Sequence, residues 1–335
     1  MPLTPIISVP QLSPHRDALE ALGYSNTDQL VGAAESAGDA LAQYLKVDRN
    51  VLDDLVKTIP HAPRPVRIAG APHLRGLGVT LERVPRPKRA PVMAGAPGVP
   101  LPPKVDMIAE MRPIRDQGGR GTCVAHAATA AAEHYWRAHG QQVDLSRQFL
   151  YWDCKQHDGY PQEEGTWIGV ALPQLQADGC CLEATWPYDM ASIAGNESQD
   201  PPPQAALTEA PAYKIPSFRQ LSPTSLPDIK GELAAGKCVA FSIPVFNSWY
   251  LNDEVTRTGE IINPIPNETS RGGHAMCFVG YEDMPNETAL GCGRFYLRNS
   301  WNENWATNPT VGTTGYGTIP YSYIARLGTE AYSIG

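Results

Sequence analysis

Cys123 lies in a setting that favours nucleophilic chemistry. It opens an alanine-rich stretch, residues 122–139, that is predicted to form a helix, and glycines occupy positions 118, 119 and 121 just before it. The N-terminus of a helix presents unpaired N–H groups and the positive end of the helix dipole, and both favour a reactive thiolate over a thiol. The preceding glycines allow the backbone to approach a substrate carbonyl closely. A lone cysteine is usually a buried structural residue, so Cys123 needs partners before it defines a class of protein.

Three segments supply those partners in a fixed order. Gln117 lies six residues before Cys123, His274 follows two glycines at the start of a β-type run, and Asn299 begins the sequence Asn-Ser-Trp. Together they resemble the papain family of cysteine peptidases, in a bacterial-type branch. Lesser matches fall in the same order, at Leu-Ser-Arg-Gln (145–148) and Trp-Pro-Tyr (186–188), so that the resemblance covers about residues 101–325.

The resemblance implies a role for each of these residues. Cys123 is expected to be the nucleophile, His274 its acid/base partner and Asn299 the residue that orients the imidazole ring. The side chain of Gln117 is expected to complete an oxyanion hole with the N–H of Cys123, because donors must be fixed where negative charge develops. The substrate-binding residues implied by the family are Glu164, Gly165, Thr166, Gly273 and Trp301, of which the Trp301 indole would also shield the His–Asn hydrogen bond.

The sequence departs from the family pattern at three positions. Arg120 stands where a cysteine is usual, so the disulfide bond expected there is absent. Val124 replaces the usual tryptophan after the nucleophile. Asn302 replaces a glycine, and asparagine is the next best residue for a positive φ. These changes affect substrate preference more than catalysis.

The pattern of elements from residue 105 to 335 predicts an α+β domain. Its first half is helical, at 122–139 and 166–177, and its second half has strand-like runs at 239–245, 275–281 and 294–298. Helices first and strands second are typical of segregated α and β parts. We therefore expect the papain-like fold, in which a helical lobe and a β-barrel-like lobe enclose a cleft.

Residues 1–59 are predicted to form a separate, small all-α bundle of three or four short helices. Apolar residues recur there at intervals of three and four, Ser25 or Thr27 is a candidate cap for one helix and Asp48 for another, and Gly23, Gly32 and Gly38 punctuate the run. The segment weakly resembles helix-hairpin-helix modules. Because it is acidic, we favour contact with a protein partner or a prosegment role over binding to nucleic acid.

Residues 60–104 form a proline-rich and basic segment, with eleven prolines and eight lysines and arginines against a single Glu82. Such a segment is predicted to be an extended linker or arm, with one short strand at 77–84. Residues 86–89 offer a basic site for a processing cut. The segment either restrains the peptidase until it is cleaved or displaced, as in a zymogen, or tethers an independent adaptor to an active enzyme.

Composition excludes several other classes. The net charge of −8 argues against nucleic acid as the main partner, and the sequence holds no long apolar run for a membrane span. Seven cysteines without a Cys-x-x-Cys pair give no support for a zinc ribbon or thioredoxin-like site. The N-terminus does not resemble a secretory signal, so we expect a cytoplasmic protein with mostly free thiols.

Three further candidates have ordinary alternatives. His126, three residues after Cys123, could begin a metal site, but further ligands at a recognisable spacing are missing and a position inside the lobe is favoured. For the vicinal Cys180 and Cys181, a buried thiol beside an exposed one is favoured over a redox pair. Glu163 and Glu164 are either an acidic pair that contacts substrate or part of a solvated loop.

These observations predict a cysteine endopeptidase that acts on peptides or proteins with neither a metal nor an organic cofactor. A pair of Cys123 thiolate and His274 imidazolium would carry the chemistry, with activity lost in acid and in alkali. Two alternatives stay open: an acyl transferase on the same fold, and a catalytically silent module that binds peptides.

Overall fold

The computed structural model describes residues 3–61, 76–79, 81, 100–191 and 201–335. The basic site predicted at 86–89 and half of the strand predicted at 77–84 lie outside these residues. Within the described part of that strand, Val79 forms an isolated antiparallel bridge with Gly273.

The N-terminal region is helical, as predicted, but the residue that caps its longest helix differs from the expected ones. Two short 3-10 helices precede α1 (Arg16–Ala21), α2 (Thr27–Leu45) and α3 (Arg49–Thr58). The cap of α2 is Asn26, rather than Ser25 or Thr27, because Asn26 and Gln29 form a reciprocal capping box. Asp48 does occupy the N-cap position of α3, without a hydrogen bond from its side chain to the helix.

Gly32 and Gly38 were expected to separate short helices. This was wrong for Gly32, which lies inside α2, whereas Gly38 directly follows a kink at which two helical segments of α2 meet. Their small size serves packing. A Cβ atom on Gly32 would lie 2.0 Å from the side chain of Asn252, and one on Gly38 would lie 2.2 Å from the guanidinium of Arg49. The backbone of α2 leaves helical geometry at Ala37, with φ −146°.

The helical half of the main domain follows. It contains α4 (Cys123–Ala138), α5 (Arg147–His157), α6 (Ile168–Ala177) and α7 (Gln204–Glu209). The alanine-rich α4 is buried along its first three turns, where small side chains let it pack closely against the sheet. Gly140 and Gly179 have φ of 81° and 83° just beyond the ends of α4 and α6, as expected for glycines that stop helices.

An antiparallel sheet forms the other half. Its strand order is β2-β7-β3-β4-β5-β6, with β1 paired to part of β4. The strands are β1 (Lys104–Asp106), β2 (Phe218–Gln220), β3 (Val239–Phe246), β4 (Ser270–Asp283), β5 (Gly293–Arg298), β6 (Tyr316–Pro320) and β7 (Glu330–Ile334). The helices that accompany the sheet are α8 (Leu226–Ala234), α9 (Ser248–Leu251), α10 (Asp253–Thr258) and α11 (Tyr321–Leu327).

The N-terminal helices pack on this half of the molecule. Helix α2 contacts α9 and α10, and the close approach of Gly32 to Asn252 lies at that junction. Among the described helices, none is long and apolar enough to cross a membrane. The predicted class, α+β with a helical N-terminal segment, is confirmed.

Candidate active site

Cys123 and His274 meet where the first turn of α4 faces the central strand β4. Cys123 is the first residue of α4, and His274 lies in β4 opposite Ile243 of β3. The backbone N–H of Ala275 donates to the sulfur of Cys123 over 3.3 Å. Both Cys123 and His274 are fully buried.

Asn299 reaches His274 from the end of the neighbouring strand β5. Its Oδ1 lies 2.9 Å from His274 Nε2, and it also accepts the N–H of Ser300 at 2.8 Å. The indole of Trp301 stacks on the imidazole, with ring centroids 4.7 Å apart and planes inclined by 22°. His274 Nδ1 has no hydrogen-bond partner among the described residues. Because Nε2 is fixed by Asn299, Nδ1 is the ring nitrogen that can exchange a proton with a thiol.

Gln117 is held by the same turn that carries Asn299. Its backbone N–H donates to Ser300 O at 2.9 Å, and its Oε1 accepts the Ser300 hydroxyl at 2.6 Å. These bonds aim the amide nitrogen Nε2 away from Ser300. That nitrogen donates to Gly76 O at 2.8 Å and to Arg120 O at 2.9 Å. The side-chain amide of Gln117 is therefore already engaged by residue 76.

Residues 76–79, here called the cleft segment, lie between the helical half and the sheet. Gly76 donates its N–H to Gly118 O at 2.9 Å, and its carbonyl also accepts the Trp301 Nε1–H at 3.3 Å. Gly78 O accepts the N–H of Thr166 at 2.9 Å. Through its backbone, the cleft segment is thus hydrogen-bonded to Gly118 and Thr166 of the helical half, which form one wall of the cleft. It is also bonded to Trp301, on the wall formed by the sheet.

Gly273 completes these contacts on the side of the sheet. Its carbonyl accepts the N–H groups of Gly78 and Val79 at 3.2 and 3.1 Å, and its N–H donates to Val79 O at 3.1 Å. A Cβ atom on Gly273 would lie 2.4 Å from Val79 O, so glycine is required for this approach. Of the residues predicted to bind substrate, Gly165, Thr166, Gly273 and Trp301 all lie against the cleft segment.

The glycines of the cleft segment fit where no larger residue would. A Cβ atom on Gly76 would lie 2.0 Å from Arg120 O, and one on Gly78 would lie 2.1 Å from Gly121 O. On the opposing wall, a Cβ on Gly165 would lie 2.6 Å from Gly78 O. Glu164 is exposed beside this contact, with its Cβ close to Gly121.

Burial sets the charge state of the pair. It raises the pKa of the Cys123 thiol to about 12, and the backbone hydrogen bonds of Ala275, Val124 and Gly78 only partly oppose the rise. Burial also lowers the pKa of His274 to about 4, although the bond to Asn299 acts in the other direction. Near neutral pH the closed site therefore holds a neutral thiol and a neutral imidazole. The expected lowering by the helix N-terminus is outweighed by desolvation in this state.

The residues that depart from the family pattern are accommodated in different ways. Asn302 adopts a φ of 52°, as predicted, and its Nδ2 donates to Asp116 Oδ2 at 2.7 Å. Arg120 is buried, and its guanidinium packs near the rings of two tyrosines. Val124 is fully buried in α4.

The remaining candidates differ in how deeply they are buried. His126 is buried in the lobe, as favoured from sequence, with Nδ1 3.1 Å from Thr122 O, and burial lowers its pKa to about 3. Cys180 and Cys181 are both fully buried, so the expectation that one thiol is exposed was wrong. All seven cysteines are free. Both Glu163 and Glu164 are exposed.

Sequence reasoning missed two parts of the site. The Gly-Leu-Gly pattern at 76–78 inside a proline-rich segment was the available signal that the chain packs closely against another backbone. Lys155 was also missed; its buried ammonium donates to Asp158 at 2.7 Å and to Gly165 O at 2.8 Å. It supports the wall that holds the cleft segment.

A helical half and an antiparallel sheet that bring a cysteine, a histidine and an asparagine together define a class of thiol-dependent peptidases. The chain belongs to the papain family of cysteine proteases, whose sequence profile matches residues 101–320.

The relatives agree with this placement. The chain is 30% identical over 220 residues to an uncharacterized peptidase C1-like protein of Acanthamoeba polyphaga mimivirus, covering 63% of this chain and 65% of that protein. It is similar in structure to xylellain, a cysteine protease from Xylella fastidiosa, with 30% identity and a TM-score of 0.60 over 70% of this chain and 86% of that one. The chain spans less than two thirds of the length of the curated relatives it matches.

One further structural likeness extends over the N-terminal region. Procathepsin L 3 from the larval midgut of Tenebrio molitor aligns over 98% of this chain and 99% of its own, with a TM-score of 0.56. At 17% identity this likeness concerns the fold alone.

Proposed function

We propose that this chain is a cysteine endopeptidase in which Cys123, His274, Asn299 and Gln117 form the catalytic site. The observation that carries the proposal is the convergence of these side chains, with Asn299 Oδ1 2.9 Å from His274 Nε2 and the Ala275 amide 3.3 Å from the Cys123 sulfur. Peptides or proteins are the substrates. The papain-family profile over 101–320 supports this reading.

The proposed reaction has two steps. The Cys123 thiol gives its proton to His274, the resulting thiolate attacks the peptide carbonyl, and the oxyanion that forms is held by Gln117 Nε2 and the Cys123 N–H. His274 gives its proton to the leaving amine, which departs and leaves an acyl-enzyme. His274 then takes a proton from water, which attacks the thioester and releases the acid together with the free thiol.

We further propose that the cleft segment holds the enzyme inactive in the state described. Gly76 O already accepts the side-chain N–H of Gln117, and Gly78 O accepts the backbone N–H of Thr166. Gly78 and Val79 are also hydrogen-bonded to the backbone of Gly273. A peptide substrate needs the same donors and acceptors, so the two occupants exclude one another.

The experiment that tests the catalytic assignment measures hydrolysis of a small fluorogenic peptide by the full chain with Gly78→Ala, whose new Cβ would lie 2.1 Å from Gly121 O and displace the cleft segment. Cys123→Ala should abolish turnover, by at least about 10⁴-fold where the starting rate allows it. His274→Ala should come close to this, and Asn299→Ala should lose less, because Asn299 orients the ring but does not exchange protons. Cys292→Ala is the matched control, since Cys292 is an exposed free cysteine and should leave turnover unchanged.

Mass spectrometry after treatment with a peptidyl epoxide separates the alternatives. A label on Cys123 that disappears in Cys123→Ala supports the assignment, and undiminished turnover in Cys123→Ala contradicts it. Transfer of the acyl group to an added amine in preference to water would indicate an acyl transferase. Binding of peptide without a product would indicate a silent module.

A further inference from the structure

Arg120 is buried in the turn between Gln117 and Cys123, with only 1% of its surface exposed. Its Nη1 donates to Gln148 Oε1 at 2.8 Å and to Asp189 O at 2.6 Å. Gln148 belongs to α5, and Asp189 lies on a separate loop. The guanidinium therefore ties the turn beside the nucleophile to two other parts of the helical half.

Two tyrosine rings pack against the guanidinium. Its central carbon lies 5.3 Å from the ring centroid of Tyr151 and 5.2 Å from that of Tyr188. Cations within about 6 Å of an aromatic ring are attracted to it, and the attraction grows when water is excluded, as it is here. A planar guanidinium can contact two rings and still donate hydrogen bonds in its own plane, which an ammonium group does less well.

The hydroxyl groups of Tyr188 and Tyr151 are hydrogen-bonded to the backbone on two different sides of the site. Tyr188 OH donates to Gln117 O at 2.9 Å, on the residue that supplies the oxyanion donor. Tyr151 OH accepts the N–H of Gly165 at 3.0 Å, on the wall whose next residue, Thr166, bonds to the cleft segment. The two walls are thus connected through one buried cation.

We propose that Arg120 is a positioning residue that fixes the oxyanion donor and the peptide-binding wall relative to each other. The inference rests on the proposed function and deepens it. Arg120 does not touch the reacting atoms; it acts through Tyr188 on Gln117 and through Tyr151 on Gly165. A displacement of about 1 Å in such a site lowers the rate about a hundredfold, so a firm connection matters for turnover.

The test uses the full chain with Gly78→Ala, whose new Cβ would lie 2.1 Å from Gly121 O and displace the cleft segment. It compares kcat and KM of Arg120→Met, Arg120→Lys, Tyr188→Phe and Tyr151→Phe in that background with the background itself on the fluorogenic peptide. Tyr188→Phe should lower kcat with little change in KM, since it loosens the oxyanion donor. Tyr151→Phe should raise KM, since it loosens the peptide wall. Arg120→Met should show both effects, with kcat/KM lowered about tenfold to hundredfold, and Arg120→Lys should recover part of the loss.

Two controls separate positioning from general destabilisation. Arg219→Met removes an arginine that pairs with Glu232 away from the site, and it should leave kcat and KM unchanged. Amide exchange at Gly165 should be at least about tenfold faster in Arg120→Met than in Arg219→Met. The effects of Arg120→Met and Tyr188→Phe should also be non-additive, because they act on one connection.

Background values of kcat and KM in Arg120→Met would overturn the proposal. If Arg120→Met does not fold, Tyr188→Phe and Tyr151→Phe provide the test. Unchanged kcat and KM in both variants would then overturn the proposal. A chain whose turnover does not depend on Cys123 would overturn the proposed function instead. Exchange at Gly165 would then still show whether Arg120 connects the walls.

Discussion

The side-chain amide of Gln117 donates a 2.8 Å hydrogen bond to the carbonyl of Gly76, a residue 41 positions earlier in the chain. The same carbonyl accepts the indole N–H of Trp301. A donor that would stabilise an oxyanion is thus engaged by the chain itself. The side-chain amide that we propose as the oxyanion donor is thus one of the groups that hold the cleft segment in place.

We expect Gly78→Ala to activate the full chain. The new Cβ would lie 2.1 Å from Gly121 O, a backbone atom that cannot swing away, so the cleft segment must leave its position. Turnover of a small fluorogenic peptide should rise by at least tenfold, an order-of-magnitude figure that corresponds to about 1.4 kcal/mol against the closed state.

Gly231→Ala is the matched control. It makes the same change in α8, where a Cβ would meet no atom within 4 Å, and it should leave the rate unchanged. Equal rates for wild type and Gly78→Ala, with equal labelling of Cys123, would contradict inhibition by the cleft segment. That outcome would favour a tether that joins an adaptor to an active enzyme.

The parts of the site that follow from short-range sequence were predictable. Cys123 at a helix start, His274 on a strand and Asn299 after a strand each lie in a local pattern that defines an element, and the structure brings all three together. Their proximity follows from the order in which a known fold arranges those elements. The catalytic roles themselves stay a proposal.

The parts that depend on distant contacts were not predictable. Gly32 was read as a helix break, because a single sequence does not reveal that Asn252 packs against it. In the same way, Gly76 and Gly78 fit against backbone atoms near position 120, and their Gly-Leu-Gly pattern signals close packing without identifying that distant partner. The neutral state of Cys123 and His274 was also missed, since burial of a helix start by another segment is a tertiary effect.

Gln117→Ala tests the oxyanion donor, and Gly78→Ala is the background in which to measure it. Loss of one preorganised donor should lower kcat about tenfold to a thousandfold with a smaller change in KM. Gln117→Glu keeps the size of the side chain and removes the N–H donors, so it should lose at least as much. A rate within twofold of the background enzyme, an order-of-magnitude threshold, would remove Gln117 from the mechanism.

The pH dependence of the closed state follows from His274. In Cys123→Ala the thiol is gone, and His274 remains as the fully buried titratable group of the proposed catalytic set. Burial lowers its pKa in the closed state to about 4 from the ordinary value of 6.5, so only the open state gains a proton as the pH falls between these values. The closed state is fully stable above 6.5, weakens as the pH falls, and loses no more below about 4.

Amide exchange at Gly78 and Val79 measures this release, once it is corrected for the intrinsic rate at each pH. Protection should fall on the order of a hundredfold across that range. Cys123→Ala/His274→Gln, which cannot take up the proton, is the control and should show a flat profile. A flat profile in Cys123→Ala alone would contradict the buried neutral imidazole.

Lys155 and Asp158 form an ion pair in which both side chains are fully buried, with Nζ and Oδ2 2.7 Å apart. Lys155→Met would leave the Asp158 carboxylate without its cation and Gly165 O without its donor, so we expect a loss of about 3–5 kcal/mol in the free energy of unfolding. Lys155→Met/Asp158→Asn removes both charges and keeps the oxygen that accepts the Tyr160 N–H, and it should recover part of that loss.

The matched control is Lys57→Met, which breaks the exposed pair with Asp54 and should cost less than about 1 kcal/mol. Urea unfolding of the three variants measures the differences. Equal small losses for Lys155→Met and Lys57→Met would show that the buried pair does not hold this wall of the cleft.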